Sequence, residues 1–347
     1  MTELARRYYT AAVAPFDDAG RVDGEAYRRL VRYFLQERFR KVGGIIANPE
    51  AGEIYYLTRG EKRRVVEIAV EEVGGKMPVF AGVFDLTTEG CVECAKDAKA
   101  AGVDGLFLLP PAGSIDLVTM WNAAQYPEYW LDQIRAIDAA VNLPIIAHPA
   151  GGSPTAQWGL GVPGETARMI CREVPNVIGW KMIYNYDGQR KMWKILRSLE
   201  RPVAILAAGG GLFHEFLAHD VLDGTASGSW NYALEPMLDH IDAWRANDVV
   251  EARRIWVEGG LRDLHEYIYS DYSRLHLRYK IAAWLRGLIP NCKMRPPMPI
   301  AKVEEIEMLR QLLRAAGLLS EKADRGSSPA PATPSSRAPA SFGSPSH

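Results

Sequence analysis

Residues 78–111 read PVFAGVFDLTTEGCVECAKDAKAAGVDGLFLLPP. Two short apolar runs, Pro78 to Phe84 and Gly105 to Leu109, flank TTEGCVECAKDAKAAG, which reads as a helix. A run apolar along its whole length suits a parallel strand buried on both faces, and the helix between two such runs is the crossover that parallel strands require. On either side the same motif recurs. Further apolar runs lie at Tyr8 to Ala14, Val42 to Ala47, Pro144 to His148, Val177 to Met182, Val203 to Ala207 and Gly224 to Ser229. The stretches between them include GEKRRVVEIAVEEV (60–73) and PEYWLDQIRAIDAAV (127–141), with apolar residues at spacings of three and four. Eight β-α units predict an α/β protein, a closed (β/α)8 TIM barrel over residues 1–232.

Beyond Ser229 only helical patterns remain, which predicts a C-terminal helical extension over 233–320, with Gly317 placed as a helix-ending glycine. Residues 321–347 are rich in Pro, Ser and Ala and are expected to form a disordered tail. Of the 347 residues 48 % are hydrophobic and 24 % charged, so a full core can be buried without disulfides. Lys plus Arg (41) nearly balances Asp plus Glu (42), which gives no basic field for nucleic acid or an anionic membrane. No apolar stretch approaches the ~18 residues of a membrane span, and the N-terminus lacks the pattern of a secretory signal, so a cytoplasmic enzyme with a small-molecule partner is expected. Cys91 and Cys94 form a CxxC with no second Cys or His pair nearby, so they read as one buried helix face rather than a metal site. Neither metal nor cofactor is predicted.

Barrel active sites are built at the C-terminal ends of the strands, which directs attention to the residues closing each run. Lys181 closes NVIGWKM, where alternation sends Trp180 toward the helices and Gly179 and Lys181 inward. Burial lowers a lysine's pKa and so makes its amine nucleophilic near neutrality. The competing reading of Lys181 is a structural ion pair with Glu50 or Glu53. His148 ends the preceding run, LPIIAHP, on a strand ~4.8 Å away, and is the candidate acid and base, against the alternative of a hydrogen-bonded structural histidine. Glu50 and Ala51 lie in the turn NPEAGE (48–53), as does Glu53. Gly209, in a run of three glycines after the seventh strand, and Ser227, at the end of the eighth, complete the candidate substrate-binding residues. Flexibility alone would also explain the glycines.

Landmarks across roughly residues 8–319 resemble the dihydrodipicolinate synthase and N-acetylneuraminate lyase superfamily. They are APFDDAGRVD (14–23), GE (52–53) followed by LTRGEK (57–62), PVFAGV (78–83), GVDGLFLLPP (102–111), LPII (143–146), VIGWK (177–181) and RPPMP (295–299). The resemblance implies a Schiff-base lysine at Lys181, a homotetramer and a 2-oxo acid substrate. Departures from the family pattern are specific. Glu50 and Ala51 stand where the family holds the substrate's α-carboxylate with a hydroxyl pair, and a glutamate there repels that carboxylate unless it is protonated or turned away. His148 stands where the family has its catalytic tyrosine, and Pro111, Ala112 and Gly113 replace a Pro-Tyr-Tyr. No arginine occurs between Pro149 and Ser153, where the dihydrodipicolinate synthases carry one. The sequence therefore predicts a divergent Schiff-base lyase, neither a dihydrodipicolinate synthase nor a sialic acid lyase, performing retro-aldol cleavage or dehydration through an enamine on Lys181. His148 would exchange protons with water or Glu50, with an ionisation between about pH 5 and 8. The alternative is a non-catalytic barrel with a binding or regulatory role.

Overall fold

In a computed structural model, which describes residues 2–113 and 120–319, eight parallel strands close into a barrel. In chain order they are β1 (Tyr8–Ala11), β2 (Gly43–Ala47), β3 (Val79–Val83), β4 (Gly105–Leu108), β5 (Ile145–Ala147), β8 (Val177–Met182), β9 (Ala204–Ala207) and β10 (Gly224–Ser227). Each pairs with the next around the ring, and β1 closes it by pairing with both β10 and β2. All eight apolar runs thus become barrel strands. Strands β6 (Ala150–Thr155) and β7 (Gly159–Gly161) were not foreseen; they form a separate antiparallel pair beyond β5.

The core divides as the strand alternation requires. Tyr9, Ile46, Phe80, Phe107, Ile146 and Leu206 fill the barrel interior, while the alternate residues join the helices in an outer layer. Trp180 is fully buried in that outer layer, its ring 5.8 Å from that of Trp130. Gly179 faces inward, since a Cβ there would meet Leu206 Cδ1 at 2.8 Å. The helices carry start signals that the sequence supplies locally. Thr58 and Glu61 form a reciprocal capping box at the start of Arg59–Val73, and Asp23 caps Gly24–Phe34. Cys91 and Cys94 are free and buried on the helix Thr88–Ala101, and burial pushes the Cys91 thiol up to about 12.

The helix after the last strand spans Trp230–Arg245, so the expected boundary at residue 232 falls inside it, and the extension proper begins beyond it. Asn231 fixes this helix to the barrel: its Nδ2 donates to Ala11 O at 2.8 Å and its Oδ1 accepts from Val13 N at 3.1 Å. The extension then runs through Leu261–Tyr269 and Leu275–Leu285 to Val303–Ala315. The tail expected from residue 321 lies outside the described residues. Among those described, no helix is long and apolar enough to cross a membrane.

Candidate active site

The C-terminal ends of the strands open into a cleft with about 810 Å³ of empty space. Lys181 enters it from β8, its side chain turned inward by the pleat, with Nζ 5.4 Å from the Phe107 ring centroid. The residue is only 9 % exposed, and among the described residues no carboxylate lies within 4.0 Å of its amine. A structural ion pair with Glu50 or Glu53 is therefore not formed. Burial pulls the amine down to about 8, with Glu50 acting in the opposite sense. The neutral, nucleophilic form is thus accessible near neutrality.

Glu50 and Glu53, three residues apart, have separate fates. Glu53 adopts a left-handed conformation (φ 62°) and points into the protein. There it pairs with Lys280 of the extension and accepts a hydrogen bond from Arg295 N at 2.8 Å, both side chains of the ion pair being fully buried. Glu50 turns into the cleft, where its Oε2 lies 2.5 Å from His148 Nε2. Burial alone would raise the Glu50 carboxyl, but the charge of a protonated His148, its hydrogen bond, and His276 and Lys181 outweigh it and lower the group; once His148 is neutral, its hydrogen bond and the Lys181 ammonium are what keep Glu50 ionised. His148 moves the other way from the sequence expectation: burial first, and Lys181 second, push its imidazole down to about 4 against the pull of Glu50. Its ionisation therefore falls below the expected window of about pH 5 to 8.

At neutral pH the pair is a carboxylate and a neutral imidazole. The Glu50 contact assigns the ring hydrogen to Nε2, which leaves Nδ1 as an acceptor, and that buried atom has no hydrogen-bond partner. A carboxylate fixing the tautomer of a histidine so that its other nitrogen can take a proton is the division of labour seen in acyl-transfer triads. The ring is also held in place by stacking on Phe107, with centroids 5.2 Å apart.

Ala51 and Gly209 line the cleft. Ser227 does not. It is buried behind Tyr269, with its Oγ 3.2 Å from Ser229 Oγ and 3.4 Å from the Tyr269 hydroxyl.

What sequence reasoning missed is a wall made by the extension: Tyr269, Tyr272, Leu275, His276 and Tyr279. The Tyr279 hydroxyl donates to that of Tyr269 at 2.6 Å, and Tyr269 donates to Ala208 O at 3.1 Å. Gly228 allows this docking, since a Cβ there would lie 2.2 Å from Tyr279 Cε2. A signal was present in YIYSDYSRLHLRY (267–279), where His276 and Tyr279 are three apart on one face of the helix Leu275–Leu285, with Tyr272 in the turn before it.

Known proteins share this architecture. Residues 4–126 match the model of the Dihydrodipicolinate synthetase family. The 4-hydroxy-tetrahydrodipicolinate synthase of Nitratidesulfovibrio vulgaris (strain DP4) is 28 % identical over 322 residues, covering 90 % of this chain and 98 % of that protein. The enzyme of the same name from Thermotoga neapolitana is 29 % identical, covering 89 % and 98 %. Among solved structures, the prophage protein YagE of E. coli K12 in complex with pyruvate superimposes with a TM-score of 0.75 at 19 % identity, over 90 % of this chain and 99 % of that one. Ruminococcus gnavus sialic acid aldolase gives 0.73 at 21 %, over 90 % and 97 %. The structural likenesses concern the fold, and they span barrel and extension together.

Proposed function

We propose that this chain, which is similar to 4-hydroxy-tetrahydrodipicolinate synthases along 90 % of its length, is a lyase of that kind and works through a Schiff base between Lys181 and a 2-oxo acid or related carbonyl compound. The observation that carries this reading is the buried, unpaired amine of Lys181 at the inward end of β8, in one cleft with the Glu50–His148 pair.

The steps follow from the geometry. The amine nitrogen adds to the carbonyl carbon, and the carbonyl oxygen leaves as water after receiving two protons, one from the attacking nitrogen and one from the medium. The resulting iminium draws in an electron pair from the adjacent carbon as a C–C bond breaks, or as a C–H bond breaks ahead of loss of a β-hydroxyl. His148 takes the proton released, from the β-hydroxyl in cleavage or from carbon in dehydration, and Glu50 stabilises the imidazolium that forms. In cleavage the proton returns to the enamine carbon; in dehydration it goes to the departing β-hydroxyl, which leaves as water; hydrolysis of the remaining iminium then frees the lysine.

The substitutions at Glu50, Ala51 and His148 favour a reaction other than those of dihydrodipicolinate synthase and sialic acid lyase. The homotetramer remains a proposal carried from the family. A non-catalytic barrel is the weaker reading, because a barrel without chemistry has no use for a lysine buried without a counter-ion. The test is borohydride trapping with candidate carbonyl compounds, read by intact mass. A substrate-dependent mass gain on Lys181 is expected, and Lys181→Ala should fold yet lose both label and turnover; equal labelling of that variant refutes the assignment.

A further inference from the structure

On the premise of a Schiff base at Lys181, the cleft specifies more than a carbonyl. A 2-oxo acid brings its own negative charge to within one bond of the carbon that becomes the iminium. The protein must then provide hydrogen-bond donors or a cation for that carboxylate. Here it provides the opposite. Glu50 is neither protonated nor turned away: it is an ionised carboxylate pointing into the cleft, 2.5 Å from His148 Nε2. Ala51 next to it has no hydroxyl to offer. Lys181 is the only lysine or arginine among the described residues lining the cleft, and its nitrogen is consumed in the imine.

The hydrogen-bonding inventory agrees. The hydroxyls of Tyr269 and Tyr279 give their protons to Ala208 O and to Tyr269 respectively. Gln189 uses its amide nitrogen on Tyr184 O at 3.0 Å, while its buried Oε1 has no partner, and neither does His148 Nδ1. Leu160, Leu212 and Leu275 with the ring of Tyr272 make the rest of the wall apolar or aromatic.

We propose that the substrate bears no carboxylate on its carbonyl carbon: it is a neutral aldehyde or ketone with an apolar or aromatic substituent, and Glu50 is the counter-ion of its iminium. In this arrangement the enzyme itself holds the negative charge that a 2-oxo acid would have brought. Placing a second carboxylate beside Glu50 sets like charges together in the cleft, which disfavours its binding.

The experiment compares matched pairs of probes, phenylacetone with phenylpyruvate and acetone with pyruvate, by rates of borohydride trapping at Lys181. Each rate is divided by that of the same probe with N-α-acetyllysine, to remove intrinsic electrophilicity. The expected result is a corrected preference of about tenfold or more for the neutral member of each pair, a cautious reading of the like-charge cost. Glu50→Gln should shrink that ratio toward unity. A corrected preference for the oxo acids, or a ratio that Glu50→Gln leaves unchanged, overturns the inference while leaving the Schiff base standing. Absence of label at Lys181 with all four probes overturns the Schiff base, and this inference with it.

Discussion

At the scale of single residues, the proposed chemistry turns on two side chains at the ends of adjacent barrel strands. Lys181 and His148 were legible because strand alternation is local: once VIGWKM and LPIIAH are strands, inward and outward follow. Their ionisation was not legible, because it depends on Glu50, which lies about a hundred residues earlier and reaches His148 only in the closed barrel. The consequence appears in the pH profile. In the proposed reaction Lys181 attacks as the neutral amine, and burial holds it down to about 8, so kcat/KM should rise with pH and level off above about 8. His148, held down to about 4, is already neutral throughout that range and should add no inflection between about pH 5 and 8. His148→Ala should lose ~10² to 10⁴ of turnover while the inflection assigned to Lys181 stays in place. Near-parental turnover in that variant would make the histidine structural and pass the proton transfers to Glu50.

At the scale of elements, the extension is held to the barrel by the buried pair of Glu53 and Lys280, supported by Arg295, whose guanidinium contacts both oxygens of Glu61 at 2.8 and 2.7 Å. Sequence reading recognised the helices of the extension but not where they dock. Helical periodicity reports which face is apolar, not which distant surface it will meet, and Tyr269 to Tyr279 therefore looked like any amphipathic segment. The pair predicts an asymmetric mutational response. Lys280→Met should destabilise the protein by about 3–5 kcal/mol in denaturant unfolding, because it strands the Glu53 carboxylate in the interior. Adding Glu53→Gln should recover a large part of that loss, since no uncompensated charge remains. A single variant as stable as the parent would show that the carboxylate finds another partner.

At the scale of the whole molecule, the barrel was readable from eight apolar runs because each βαβ unit repeats one local pattern, whereas the hairpin Ala150–Thr155 and Gly159–Gly161, containing two glycines and a proline in its first strand, carries no such signal. The region after residue 320 belongs to composition alone. Removing the chain from Gly326 onward should leave melting temperature and turnover unchanged, since its Pro, Ser and Ala content cannot form a core. A substantial fall in either would reveal a docked tail.

The wall contributed by Tyr269 to Tyr279 also sets an order in time. Lys181 is synthesised about a hundred residues before Tyr279, a delay of roughly 5 to 20 s at the speed of a translating ribosome. Through that interval the strand bearing the lysine exists but the cleft does not. An amine in open water titrates near 10.4 and stays protonated, so it cannot attack the aldehydes and ketones of the cell. On the proposed mechanism, the lysine is expected to gain its full reactivity only once the last helices close the cleft.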